Sequence, residues 1–160
     1  MEAFPPSLDL RGATLVLPVV AVGNIGQLAA DLLISTLRLP RTGRLADDAL
    51  LPAVGGAAYP HAPGLATSLE VHRAPDSSVA VAQQRSAAAP GTQTPYAHRL
   101  AAFLKAAGVE QVGGSGGRGA GGCVSVACTG RLAASKVSLL AQSHNSCPAL
   151  SMLPCAQHSL

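Results

Sequence analysis

Thr14 to Val22 reads TLVLPVVAV, a short and nearly continuous apolar run rich in β-branched residues. Such a run suits a strand buried on both faces in an α/β sheet. Pro18 limits the fit, because a proline cannot donate to a ladder and must lie at a strand end, at a bulge or on a sheet edge. Gly23-Asn24-Ile25-Gly26 punctuates the run, and Asn24 with Gln27 three residues on forms a variant of the capping box that opens helices. A helix is predicted from there to about Leu39. Ile25, Ala29, Leu33 and Leu37 form one i, i+4 row that Leu28 and Leu32 extend, so only Asp31 and Arg38 are expected to turn to water. Pro40 and Gly43 stop the helix. Arg38, Arg41 and Arg44 then read as the basic group that a helix end favours.

From Gly43 to Gly64 the chain reads as an irregular surface loop, broken by Pro52, Gly55-Gly56, Pro60 and Pro63. Ser68 to Arg73 and Val79 to Arg85 are short extended candidates, and the turn-forming cluster Ala74-Pro75-Asp76-Ser77-Ser78 makes them a hairpin. A second helix is predicted from Pro95 to Ala107, with Leu100, Phe103, Leu104 and Ala107 on one face and Gly108 as its stop. Val109 to Val112 can begin a further strand. Gly113 to Gly122 holds seven glycines in ten residues, the composition of a flexible linker. Cys123 to Leu160 changes character again, with all four cysteines, no Asp or Glu, no aromatic residue and one plausible helical piece at Leu132 to Gln142. The expected organisation is an α/β domain over 1–112, a linker over 113–122, and an unrelated, disordered tail over 123–160.

The 160 residues suffice for one domain of ordinary size. Its hydrophobic fraction of 48% is carried by Ala, Leu and Val, while aromatic residues make up 2%. Without large anchors the core is expected to be marginally stable. The net charge of +3 is scattered rather than gathered in a stripe, and there are no aromatic stacking platforms, so nucleic acid is not indicated. Gly12 to Ala30 carries no charge, but Pro18, Gly23, Asn24, Gly26 and Gln27 interrupt it where a membrane span needs about 20 apolar residues. Glu2 and Asp9 fit poorly with a secretory signal. The reading is of an intracellular protein without a membrane partner.

Among chemical motifs, Gly23-x-x-Gly26 before a helix is a weak anion-binding pattern: it lacks the third glycine of a dinucleotide fingerprint and the Gly-Lys-Ser/Thr of a phosphate loop. A tight turn with close helix packing is the simpler account. Cys123, Cys128, Cys147 and Cys155, with His144 and His158, have spacings unlike structural zinc sites and read as free thiols. Ser35, Ser68, His61, His72 and His98 with Asp31, Asp47 and Asp48 supply the residue types of a hydrolase, but no Gly-x-Ser-x-Gly elbow joins them. Asp47-Asp48 reads as a solvated turn. Tyr59 and Tyr96, read as exposed loop positions, either pack locally or meet a partner. No enzyme activity, metal or cofactor is expected.

Leu15-Val16-Leu17-Pro18, then Val22-Gly23-Asn24-Ile25-Gly26-Gln27-Leu28-Ala29 and Asp31 to Leu37, resemble the start of the proteasome assembly chaperone 2 family. Asp48 to Pro52, Val54-Gly55 and Tyr59 resemble its next segment, and Glu70-Val71, Val79 to Val81, Arg85-Ser86 and Leu100 to Gly108 follow more loosely. About 112 residues are covered. The resemblance implies an incomplete α/β domain similar to nucleoside phosphorylases but without their activity. It implies heterodimer formation with proteasome assembly chaperone 1, escort of 20S proteasome α-subunits into a ring, and a place in the cytoplasm and nucleus. Gly23, Asn24, Gly26, Gln27 and Asp31 become candidate partner-binding or fold-defining residues. The chain departs from the family after Val112, and His158-Ser159-Leu160 does not match the hydrophobic-Tyr-x ending of related members. A truncated isoform with impaired function is therefore one expectation. The alternative is a small anion-binding or phosphorylase-like enzyme using the Gly23 to Gln27 turn.

Overall fold

A computed structural model describes residues 1–115 apart from Ser7, Val19, Ala21 and Val22. The apolar run forms strand β2 (Thr14–Pro18), and it occupies an interior position of a six-stranded mixed sheet. In chain order the other elements are β1 (Glu2–Phe4), α1 (Ile25–Thr36), β3 (Arg41–Ala46), β4 (Val54–Gly55), β5 (Ala66–Thr67), β6 (Leu69–Arg73), β7 (Val79–Gln84), α2 (Gln93–Ala106) and β8 (Gln111–Ser115). The sheet order is β1-β3-β6-β7-β2-β8, and β4 and β5 form a separate two-stranded ribbon. β2 runs parallel to both β7 and β8, while β1, β3, β6 and β7 pair successively antiparallel. The α/β class is as expected. Pro18 closes β2, one of the positions open to it, opposite Ser115.

Alternation along the strands separates two cores, one on each face. Leu69, Val71, Ala80, Ala82, Leu15 and Leu17 turn to the α2 face and pack with Tyr96, Leu100 and Leu104. Val81 turns the other way, to Ala30 and Ile34 of α1 and to Leu39, Tyr59 and Ala62. The predicted hairpin is β6–β7, in register Leu69↔Gln84 to Arg73↔Ala80. At its turn Ser77 Oγ accepts from the backbone N–H of Val79 at 3.0 Å.

Several expectations need correction. Arg41 to Ala46 is a strand rather than the start of a loop; its two buried residues, Gly43 and Leu45, give too little apolar signal for a period of two to be read. A Cβ at Gly43 would meet Leu8 Cδ1 at 3.1 Å and the Phe4 carbonyl at 3.2 Å, so glycine lets β1 and its following turn lie close. Helix α1 stops at Thr36 with no basic residue in its last turn, and Arg41 and Arg44 belong to β3. Tyr59 and Tyr96 are both buried, which settles their roles as local packing. β8 continues through Gly113 and Gly114 to Ser115, so the glycine tract begins inside the sheet. The rest of that tract, the helical piece at Leu132 to Gln142 and the four cysteines lie outside the described residues. Among the described residues no helix is long and apolar enough to cross a membrane.

Candidate protein-interaction surface

Helix α1 begins without the predicted capping box. Gly23 (φ 85°) and Asn24 (φ 52°) are both left-handed, a conformation Asn tolerates better than other side-chain-bearing residues. The Asn24 side chain makes no cap hydrogen bond, and its carbonyl accepts the first helical bond from Leu28 N at 2.9 Å. Gln27 turns toward the sheet rather than back to the cap, and its carbonyl accepts from Gln83 Nε2 at 3.0 Å. The buried stripe of α1 is Gly26, Gln27, Ala30 and Ile34. Three of these four are small or polar, so little of the helix's apolar bulk is spent on the sheet.

That bulk points outward. Ile25 is 67% exposed, Leu28 58%, Leu32 69% and Leu37 51%, with Leu33 at 36%. The predicted row Ile25, Ala29, Leu33 and Leu37 is thus the helix's outer face. Residues three and four apart on a helix are surface neighbours, so these side chains form one continuous patch. Monomers rarely expose apolar patches beyond a few hundred Å², and larger ones mark interaction sites.

Asp31, expected in water, is instead the centre of a polar lock at the edge of this patch. Its Oδ1 accepts from the Tyr59 hydroxyl, from Gln83 Nε2 at 2.7 Å and from Arg85 Nη2 at 3.2 Å. Arg85 Nη2 also donates to Tyr59 Oη at 3.0 Å, and its guanidinium lies 5.6 Å from the Tyr59 ring centre. Tyr59 stacks on His61 and meets His72 edge-on. Burial, and then the Asp31 carboxylate, push the Tyr59 phenol well above its ordinary range. Helix, sheet and the 56–65 segment are joined at this one carboxylate.

A second buried ion cluster lies beside it on the same face. Glu70, 1% exposed, is 3.0 Å from Arg41 Nη1, 3.9 Å from Arg44 Nε and 3.9 Å from His72 Nε2. Burial alone would raise the Glu70 carboxyl, but His72 and Arg41 outweigh it and hold the carboxyl below its usual range. Arg41 also donates to the carbonyls of Leu65 at 3.0 Å and Pro63 at 2.7 Å, and Arg44 to that of Leu65 at 3.2 Å. A buried carboxylate is tolerated only when paired in this way. Between the β4–β5 ribbon and Arg85 lies an open cleft of about 250 Å³.

Of the predicted site residues, Gly23 and Asn24 are exposed at the start of α1, Gly26 and Gln27 are buried under it, and Asp31 is half-buried. The catalytic candidates are scattered. Ser35 and His98 are exposed on separate helices, and Ser68 Oγ bridges Leu51 O and Ala53 N at 3.0 and 2.9 Å. His72 Nδ1 lies 3.3 Å from Leu39 O. Asp47, expected to be a solvated turn, is 1% exposed and paired with Arg99 at 2.6 Å. Tyr59, Gln83, Arg85 and Glu70 were missed as site residues. The signal available for them was Gln83-Gln84, a polar pair in an otherwise apolar strand.

The PAC2 family model matches residues 15–146, well over half of the chain and beyond the 112 residues read from the sequence. Proteasome assembly chaperone 2 of Homo sapiens is 38% identical over 108 residues, covering 65% of this chain and 41% of that protein. The protein of the same name from Nematostella vectensis is 40% identical over 111 residues, covering 66% and 46%. That from Danio rerio is 48% identical over 82 residues, covering 49% and 32%. The matched region spans less than half the length of each of these relatives.

Proposed function

Because the chain belongs to the PAC2 family, we propose that it acts in proteasome assembly as a non-catalytic subunit. It heterodimerises with proteasome assembly chaperone 1 and helps bring 20S α-subunits into a ring, in the cytoplasm and nucleus. The observation that carries this reading is the outward apolar face of α1. A helix that buries Gly26, Gln27, Ala30 and Ile34 and leaves Ile25, Leu28, Leu32 and Leu37 in solvent is arranged for another protein's surface.

Charge favours a heterologous partner over a second copy. The first turn of α1 holds no acidic residue, Asp31 is engaged by Arg85, and Arg38 stands exposed just past the last turn. Two copies packed antiparallel through α1 would set each Arg38 against an end with no carboxylate. A partner with an acidic rim pairs with it. The anion-binding enzyme reading gains nothing from the geometry, since Gly26 and Gln27 are buried and the Gln27 carbonyl is taken by Gln83.

Co-expression with proteasome assembly chaperone 1 tests the reading. The expected result is a soluble 1:1 complex by size-exclusion chromatography with light scattering, and its loss in the double variant Leu28→Asp/Leu32→Asp. Elution of the folded chain apart from an intact partner would refute it.

A further inference from the structure

We propose that the β4–β5 ribbon is a second contact of the same interface, where an extended, uncharged segment of the partner adds as a third strand beside β4 and sets an aliphatic side chain into the cleft. This inference rests on the assembly reading. Area is the first reason. Helix α1 has 12 residues, so its outer face is about 18 Å long and about 10 Å across, a footprint of roughly 200 Å². A stable pair of proteins needs about 800 Å² on each side. The α1 patch therefore has to continue over a neighbouring surface. The ribbon is that neighbour, because Arg85 lines its cleft and also holds Asp31 of α1 at 3.2 Å.

The ribbon has the composition of an interface rather than of a solvated loop. From Leu51 to Ala58 eight consecutive residues are exposed, and none has a polar side chain. No Asp, Glu, Lys or Arg occurs between Asp48 and Glu70. Val54 is 73% exposed, Leu65 59% and Leu51 47%. Interface centres are depleted of charge in this way, whereas solvent-facing turns are built largely from polar residues. An uncharged face selects an uncharged segment, because a charge laid on it loses its water without gaining a counter-ion.

The backbone offers the matching contact. β4 and β5 pair with each other, in register Val54↔Thr67 and Gly55↔Ala66, and among the described residues no strand lies beside the outer edge of β4. Val54 and Gly55 are exposed while Ala66 is buried, so β4 is the accessible edge. Such an edge accepts another chain through main-chain hydrogen bonds, and pockets for alternate side chains supply specificity. Gly55 and Gly56 have nothing within 4 Å of where a Cβ would stand, so an incoming backbone can lie close. The cleft of about 250 Å³ is below the roughly 300–1,000 Å³ of small-molecule sites and above the ~150 Å³ that holds one benzene, which is the scale of a side chain. Its one charged member, Arg85, is already bound to Asp31.

The test compares the full chain alone with the full chain in complex with its co-expressed partner. Amides of the Val54–Gly56 segment are expected to exchange with deuterium at least about tenfold more slowly in the complex. Val54→Asp and Leu65→Asp, both at exposed positions, are each expected to raise the Kd at least about tenfold while the urea midpoint of the free chain stays in place. A benzophenone-bearing amino acid at position 54 is expected to crosslink to an uncharged partner segment rich in β-branched residues. If Leu28→Asp/Leu32→Asp abolishes the complex while the ribbon amides and both ribbon variants behave as wild type, the ribbon contact is refuted and the assembly reading stands. Absence of any complex refutes both. A crosslink to residues 116–160 of this chain, or to a second copy, also overturns the assignment.

Discussion

Asp47 sits where the N-terminal ammonium, 3.6 Å away, and the Arg99 side chain, 2.6 Å away, both reach its carboxylate. The Arg99 hydrogen bonds outweigh the cost of burial and bring the Asp47 carboxyl down to about 2. A carboxyl depressed on folding stabilises the fold above its unfolded value near 4 and loses that contribution as pH falls through about 2. The Arg99 side chain is 42% exposed, so solvent screening leaves only a fraction of the full linkage value. Arg99→Ala is therefore expected to lower unfolding stability modestly at pH 7, with the gap to wild type closing between pH 4 and 2 in urea titrations. Tyr59→Phe is expected to cost about 1–3 kcal/mol by the same measurement, since it removes a donor to half-buried Asp31 and leaves Arg85 Nη2 with one acceptor fewer. Neither pairing was legible in the sequence. Asp47 and Arg99 are 52 residues apart, as are Asp31 and Gln83, and a side chain's partner at that distance is set by strand order, which one sequence does not show. Asp48 is exposed in a turn as expected, while Asp47 looks equally solvated in the sequence because its cover comes from α2 and from the chain terminus.

At the scale of the element, α1 carries a packing face and an exposed apolar face on opposite sides. Leu28→Asp/Leu32→Asp alters side chains 58% and 69% exposed and is expected to shift stability by no more than about 0.5 kcal/mol per site, while reducing binding of a hydrophobic dye. Ile34→Ala, at a fully buried position, is expected to cost about 2–4 kcal/mol in thermal or urea unfolding. Equal losses from both would mean that the leucine face packs internally. The sequence announced α1, α2, β2 and the β6–β7 hairpin because each has a sustained period or a strong stop signal. Which face of α1 is buried was not announced. Apolar residues run nearly all round it, and the buried stripe of Gly26, Gln27, Ala30 and Ile34 holds mostly small or polar residues rather than the most hydrophobic ones. β1 and β3 were missed for a related reason. Three residues, and the sequence RTGRLA with glycine and one leucine inward, carry too little apolar contrast to be read as strands.

In the whole molecule, one face of the sheet is covered by α2 over an aliphatic core, and the other combines a smaller core with the Asp31 and Glu70 clusters. The aliphatic layer follows from the small-residue composition, as expected. The polar layer does not, because its charges are far apart in the chain and look like ordinary surface residues until the strands align. The position of β2 also sets an order of events. Leu15 lies between Ala80 and Val112, so the strand nearest the start of the chain has neighbours that are made only much later. At synthesis rates of about 5–20 residues per second, β2 and the helix after it leave the ribosome several seconds before β7, and longer before β8. Through that interval the nascent chain has no native place to put its most water-averse stretch. A chain whose strands are ordered in this way depends on shelter at birth.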